Sequence, residues 1–153
     1  MIHIPDEAEK ILAENIAAND KRTNNKAALD LLFMEDDLTT QMMIKQILRG
    51  QSLNLEFATN AQQGLEMYSN KPPHIVFLDI NMPGRMNGLQ VLDVLNRCDP
   101  CVFAMMLTSS SVGEHVTAAI KNNVQGYVIK PFTMNKLMEC INRYRRMVLE
   151  QAV

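Results

Sequence analysis

From residue 28 onward, five short apolar runs, each broken off by polar residues, alternate with stretches of helical periodicity. Few folds satisfy that alternation. The runs are Leu29 to Met34, Leu53 to Ala58, His74 to Leu78, Val102 to Leu107 and Gly126 to Ile129. Between them the apolar spacing predicts helices over Thr39–Arg49, Ala61–Tyr68, Gly88–Arg97 and from about Ser111 to Asn123, with a last one from Thr133 to about Gln151. Met43, Ile44, Ile47 and Leu48 are expected inward on the first, with Gly50 closing it. Leu89, Leu92 and Leu95 form a stripe on the third. Met134, Leu137, Ile141, Tyr144 and Val148 form one on the last. Ser111-Val112-Gly113-Glu114 has the pattern of a capping box. Strands alternating with helices imply βαβ units and a parallel sheet. Nearly continuous apolar runs imply a sheet covered on both faces. The second run alternates apolar and polar residues, as a less buried strand would.

The chain has 153 residues, 47% of them hydrophobic, enough for one full core without disulfides or a structural metal. A formal charge of -2 gives no electrostatic case for binding nucleic acid or an anionic membrane. No apolar run approaches the roughly 18 residues of a membrane span, and no signal peptide opens the chain, so a cytoplasmic protein is expected. Cys98-Asp99-Pro100-Cys101 has C-x-x-C spacing but lacks the second ligand pair of a zinc site and does not open a helix, which reads as chance. The 12 methionines lie mostly on apolar stripes, as core fillers would. Arg143, Arg145 and Arg146 read as a solvated helix face. Residues 1–27 differ from the rest: Asp6 to Ala18 fits a short helix with Ala8, Ile11, Leu12 and Ile16 on one face, and a polar linker follows. Docking on the domain, extension from it and partial disorder all remain open for this segment.

The chemistry is concentrated where the strands end. Ile75-Val76-Phe77-Leu78 runs into Asp79, and Met82-Pro83-Gly84 stops the strand, because proline has no N–H for a ladder. In open α/β sheets the carboxyl edge is where ligands bind. An acid there is a metal ligand, a nucleophile or a helix cap. The first strand ends in Glu35, Asp36 and Asp37, the fourth in Thr108 and the fifth in Lys130. If these strands are neighbours, their ends form one shallow site of three or four carboxylates, one hydroxyl and one ammonium. Crowded acids need a cation to stay ionised, and an oxygen-only set suits Mg2+ and disfavours zinc. Metal, lysine and hydroxyl together cradle a phosphoryl group, and a central carboxylate can attack phosphorus to give an acyl phosphate.

Four segments carry a resemblance to the receiver domains of two-component response regulators, over about residues 28–150. They are Phe33-Met34-Glu35-Asp36-Asp37, Leu78-Asp79-Ile80-Asn81-Met82-Pro83, Thr108-Ser109 and Tyr127-Val128-Ile129-Lys130-Pro131. The resemblance implies a flavodoxin-like (βα)5 doubly wound parallel five-stranded sheet of strand order 2-1-3-4-5, here with an N-terminal helical extension (1–27) before the receiver domain (28–153). It implies that Asp79 is the phosphoacceptor, that Asp36 is a direct metal ligand with Glu35 acting through water, and that the Asn81 main-chain carbonyl completes the Mg2+ site. Asp37 is expected as a helix cap. Lys130 would contact the phosphoryl oxygens, Thr108 would move toward them, and the Tyr127 ring would turn inward as it does. A half-buried strand tyrosine and a helix-capping threonine are the plainer readings of Tyr127 and Thr108. Asn81 and Ser110 would flank the hydrolytic water and tune dephosphorylation. A cis bond is expected at Lys130–Pro131. One departure is an extra residue between Pro83 and Gly88, expected to bulge the loop at Gly84-Arg85.

The resulting expectation is a phosphorylation-controlled signalling switch rather than a turnover enzyme. A phosphohistidine on a sensor histidine kinase or a histidine phosphotransfer protein would donate to Asp79. A downstream protein would read the surface of the fourth receiver helix, fifth strand and fifth helix, from Val112 to Tyr144, and a second copy of the chain is a further candidate partner. Two rivals are an aspartate-nucleophile phosphatase of the haloacid dehalogenase type and a non-phosphorylated interaction module. The phosphatase usually carries a second acid two residues after its nucleophile, where this chain has Asn81. The intact set of Asp36, Asp79, Thr108 and Lys130 argues against the module.

Overall fold

The computed structural model describes residues 6–22, 28–109 and 124–149. The expected helix between Ser111 and Asn123 and the candidate residue Ser110 lie outside them. The elements are α1 (Asp6–Asn19), β1 (Leu29–Met34), α2 (Leu38–Ile47), β2 (Leu53–Ala58), α3 (Ala61–Asn70), β3 (Ile75–Asp79), α4 (Gly88–Cys98), β4 (Ala104–Thr108), β5 (Gly126–Ile129) and α5 (Met134–Tyr144), which continues into a π-helical turn (Arg145–Leu149). The five strands form one parallel sheet in the order β2-β1-β3-β4-β5.

Pleating sends alternate strand residues to opposite faces, and two cores result. Leu32, Met34, Val76, Leu78, Ala104 and Met106 pack beneath α3 and α4. Leu29, Leu31, Phe33, Ile75, Phe77, Met105 and Leu107 pack beneath α2 and α5. Phe33 stacks on Phe77 at 4.4 Å between centroids and on Phe57 at 5.3 Å, so one aromatic file crosses β3, β1 and β2. β3 and β4 are buried at every residue, whereas β2 is only partly buried, as its alternating sequence predicts.

α1 is docked. Ile16 is buried in the α3–α4 core, with Leu12 and Ala13 packed against it, whereas Ile11, expected on the inward face, is exposed. Other expected inward residues also differ. Met43, Met134 and Val148 are exposed, and so are Met42 and Met147. The last helix departs because its regular part stops at Tyr144: the wider π turn that follows carries Val148 off the stripe of Leu137, Ile141 and Tyr144. Arg143 is more than a solvated residue, because its guanidinium donates to the Gln125 carbonyl at 2.6 Å, tying α5 to the segment before β5. Gly50 has φ +85° and terminates the α2 turn as expected. Among the described residues no helix is long and apolar enough to cross a membrane.

Candidate functional site

Register assembles the site. Met34 pairs with Leu78, so Glu35 lies level with Asp79. Asp79 pairs with Leu107, and Thr108 pairs with Ile129 just before Lys130. All the expected strand-end groups on β1, β3, β4 and β5 therefore meet at one edge, and Lys130 is brought in further by its backbone N–H, which donates to the Thr108 carbonyl at 2.8 Å. The Lys130–Pro131 peptide is cis.

Glu35, Asp36 and Asp79 each present a carboxylate oxygen within 4.8 Å of the others. Glu35 and Asp79 are buried, and Asp36 is the most open of the three. Lys130 Nζ donates to Glu35 Oε1 at 2.9 Å and stands 3.7 Å from Asp79 Oδ2. Burial and the neighbouring Asp79 push the Glu35 carboxyl above its ordinary range, partly offset by Lys130. Burial and Glu35 do the same to Asp36. Burial alone would lower Lys130, but Glu35 and Asp79 outweigh it and hold the ammonium charged. The triad thus has less positive charge than it needs. An all-oxygen group of three acids fits a hard divalent cation, and these residues can hold a metal ion.

The surroundings fix the acids in place. The second Glu35 oxygen accepts from Asp37 N–H at 3.2 Å, and the Glu35 N–H donates to the Ala58 carbonyl. Asp79 Oδ1 accepts from Asn81 N–H at 3.1 Å, which orients it after the strand. Asp37 is the N-cap of α2, accepting from Thr39 N–H and Thr40 Oγ1, and these bonds hold its carboxyl below the usual range. Thr108 is buried at the end of β4, with its hydroxyl donating to the Ser109 carbonyl at 3.1 Å. Tyr127 is 45% exposed on β5. Gly84 has φ +98° in the loop expected to bulge, a conformation that favours glycine.

Two supporting residues escaped the sequence. Buried Gln41, on α2, donates through Nε2 to the Glu35 main-chain carbonyl at 2.7 Å. Gly88 opens α4 so close to β3 that a Cβ there would sit 2.2 Å from the Asp79 carbonyl oxygen. A glycine at the first position of a predicted helix was the available signal for the second. A glutamine on a helix gives none.

Fold and site together define a doubly wound α/β domain with an acid–lysine centre for phosphoryl chemistry at the carboxyl edge of its sheet. The chain matches the response regulator receiver domain over residues 31–142 and belongs to that family. It is 30% identical over 116 residues to the chemotaxis protein CheY of Thermotoga maritima, covering 74% of this chain and 94% of that protein. It is also 30% identical over 116 residues to an NtrX-like response regulator of Rickettsia typhi, covering 75% of this chain but only 24% of the relative, so it spans about a quarter of that regulator's length. The crystal structure of the NtrX receiver domain from Brucella abortus superposes with a TM-score of 0.71 at 26% identity, over 75% of this chain and 97% of the other. The domain is a phosphorylation-controlled signalling switch, regulatory rather than a turnover enzyme.

Proposed function

We propose that Asp79 accepts a phosphoryl group from the phosphohistidine of a sensor histidine kinase or a histidine phosphotransfer protein, with Mg2+ present. A carboxylate oxygen of Asp79 attacks phosphorus, the P–N bond to the donor imidazole breaks, and the imidazole leaves with the bonding pair. The product is an acyl phosphate on Asp79. Asp36, Asp79 and the Asn81 carbonyl would hold Mg2+, with Glu35 acting through water. When bound, the cation supplies the positive charge that lets two anions approach. Lys130 leaves Glu35 for the new phosphoryl oxygens, Thr108 follows toward them, and Tyr127 loses its outward position as the space behind Thr108 opens. The changed surface around β5 and α5 is then read by a protein partner.

The observation that carries this reading is the position of Lys130, bonded to Glu35 and within 3.7 Å of Asp79. With a cation on the acids, this ammonium beside Asp79 is placed to turn from Glu35 to an incoming phosphoryl oxygen. The experiment is incubation with acetyl phosphate and Mg2+, read by intact mass. One base-labile phosphate is expected on the wild type and none on Asp79→Ala. An undiminished adduct on the variant, or none on the wild type, overturns the reading.

A further inference from the structure

One buried polar cluster lies away from the phosphoacceptor site and has no part in phosphoryl transfer. Arg22, which follows α1, is 8% exposed, and its guanidinium grips two carboxylates at once. Nη1 and Nη2 donate to Asp99 at 2.8 and 3.0 Å, and Nε and Nη2 donate to Asp20 at 2.8 and 2.9 Å. Asp99, 2% exposed at the end of α4, also accepts from the Tyr68 hydroxyl of α3 at 2.6 Å. A bidentate pair of this kind is specific for arginine. The rest of the arm adds contacts to the same two helices. Arg97 of α4 donates to Glu9 at 2.9 and 3.0 Å, Asn19 Nδ2 donates to the Ser69 carbonyl at 2.8 Å, and Ile16 fills the core between α3 and α4.

Helix α4 connects this latch to the phosphoacceptor. Its first residue, Gly88, touches the Asp79 carbonyl, donates to the Ile80 carbonyl at 3.2 Å and is preceded by an Asn87–Gln90 capping box. Its last residue, Cys98, precedes the latched Asp99. Eleven residues of helix span about 16 Å. The loop from Ile80 to Asn87 is therefore held at one end by Asp79 and at the other by a helix whose far end the N-terminal arm clamps.

We propose that residues 6–22 are a built-in buttress of the phosphoacceptor loop, so that docking of the arm and occupancy of the Asp79 site favour each other through α4. This rests on the reading of Asp79 as the phosphoacceptor. Filling the site immobilises the loop that carries the first turn of α4, and a helix fixed at that end presents Arg97 and Asp99 to the arm in one geometry. Linkage makes the effect reciprocal: what the site does for the arm, the arm does for the site.

The test uses the full chain with Mg2+ and beryllofluoride, a phosphoryl mimic. Ligand binding is expected to slow amide exchange across residues 6–22 by about fivefold or more, and Arg22→Met to weaken beryllofluoride binding by a similar factor. Because Arg22→Met leaves Asp99 buried without its partner, Glu9→Ala serves as a second variant that loosens the arm at the protein surface. Its effect is expected to be in the same direction and smaller. If the wild type binds beryllofluoride but exchange in the arm is unchanged, or if a loosened arm leaves affinity unaltered, the buttress is overturned while the phosphoacceptor stands. Failure of the wild type to bind at all overturns both.

Discussion

Lys130 is bonded to Glu35 rather than to Asp79: its ammonium is 2.9 Å from the glutamate oxygen and 3.7 Å from the aspartate. The lysine is thus the internal counter-ion of the acid cluster, and it competes with any cation brought to the same acids. Lys130→Met should tighten Mg2+ binding by about three- to tenfold, since one unit of positive charge a few ångströms away is removed from a partly screened site. It should also slow phosphorylation by acetyl phosphate by about a hundredfold, because the developing phosphoryl charge loses a placed donor. Calorimetric Mg2+ titration beside a phosphorylation time course checks both, and weaker Mg2+ binding in the variant would sink the counter-ion assignment.

The raised carboxyls of Glu35 and Asp36 make metal binding proton-linked. Above their raised values both acids are ionised, and below them the ion must displace protons. Mg2+ affinity is therefore expected to rise with pH through the window just above the ordinary carboxylate range and then level off. The metal-free fold has the opposite slope there. The native state holds protons that the unfolded chain has already lost, so its stability falls as pH rises through that window. Thermal melts with and without Mg2+ should diverge as pH increases, and Glu35→Gln should flatten both curves. A Mg2+ affinity independent of pH across this range would contradict the assignment.

Most of this site was legible because parallel strands put successive strand ends on one edge, so Glu35, Asp79, Thr108 and Lys130 could be placed from four short segments. The Asp37 cap followed from residue type and position, whereas the strand order came only through the resemblance to receiver domains. What escaped depends on contacts between distant segments. Nothing local to Arg22 marks it as the partner of Asp99, 77 residues away. In the sequence Asp99 is only part of an incidental C-x-x-C spacing. Apolar periodicity also overstated burial on the outer helices, where Met43 and Met134 keep the stripe's spacing but face solvent and the π turn carries Val148 off it.

Two glycines should respond differently to alanine. At Gly88 a Cβ meets the Asp79 backbone, which cannot yield without moving Asp79. At Gly64 it meets the flexible end of Met34, which can repack. Gly88→Ala is expected to cost about 2–3 kcal/mol and to reduce phosphorylation, and Gly64→Ala about 1 kcal/mol with phosphorylation unchanged. Urea unfolding and the acetyl phosphate assay separate them, and equal losses of phosphorylation would show that α4 does not bear on Asp79 as its geometry implies.

Asn81 is expected to separate formation of the proposed acyl phosphate from its loss. Its backbone N–H donates to Asp79 Oδ1 at 3.1 Å, while the residue itself is exposed to solvent two positions beyond Asp79. Replacing that side chain leaves the orienting hydrogen bond intact but alters the polar groups that water meets on approach. Asn81→Ala should therefore change the dephosphorylation rate several-fold while altering phosphorylation less than twofold. Asn81→Asp, which places a proton acceptor there, should shorten the phosphoryl lifetime. Following acyl phosphate decay by intact mass after removal of the donor measures the first rate, and adduct growth in excess donor measures the second. Equal effects on both would mean that Asn81 acts by positioning Asp79 rather than by controlling water.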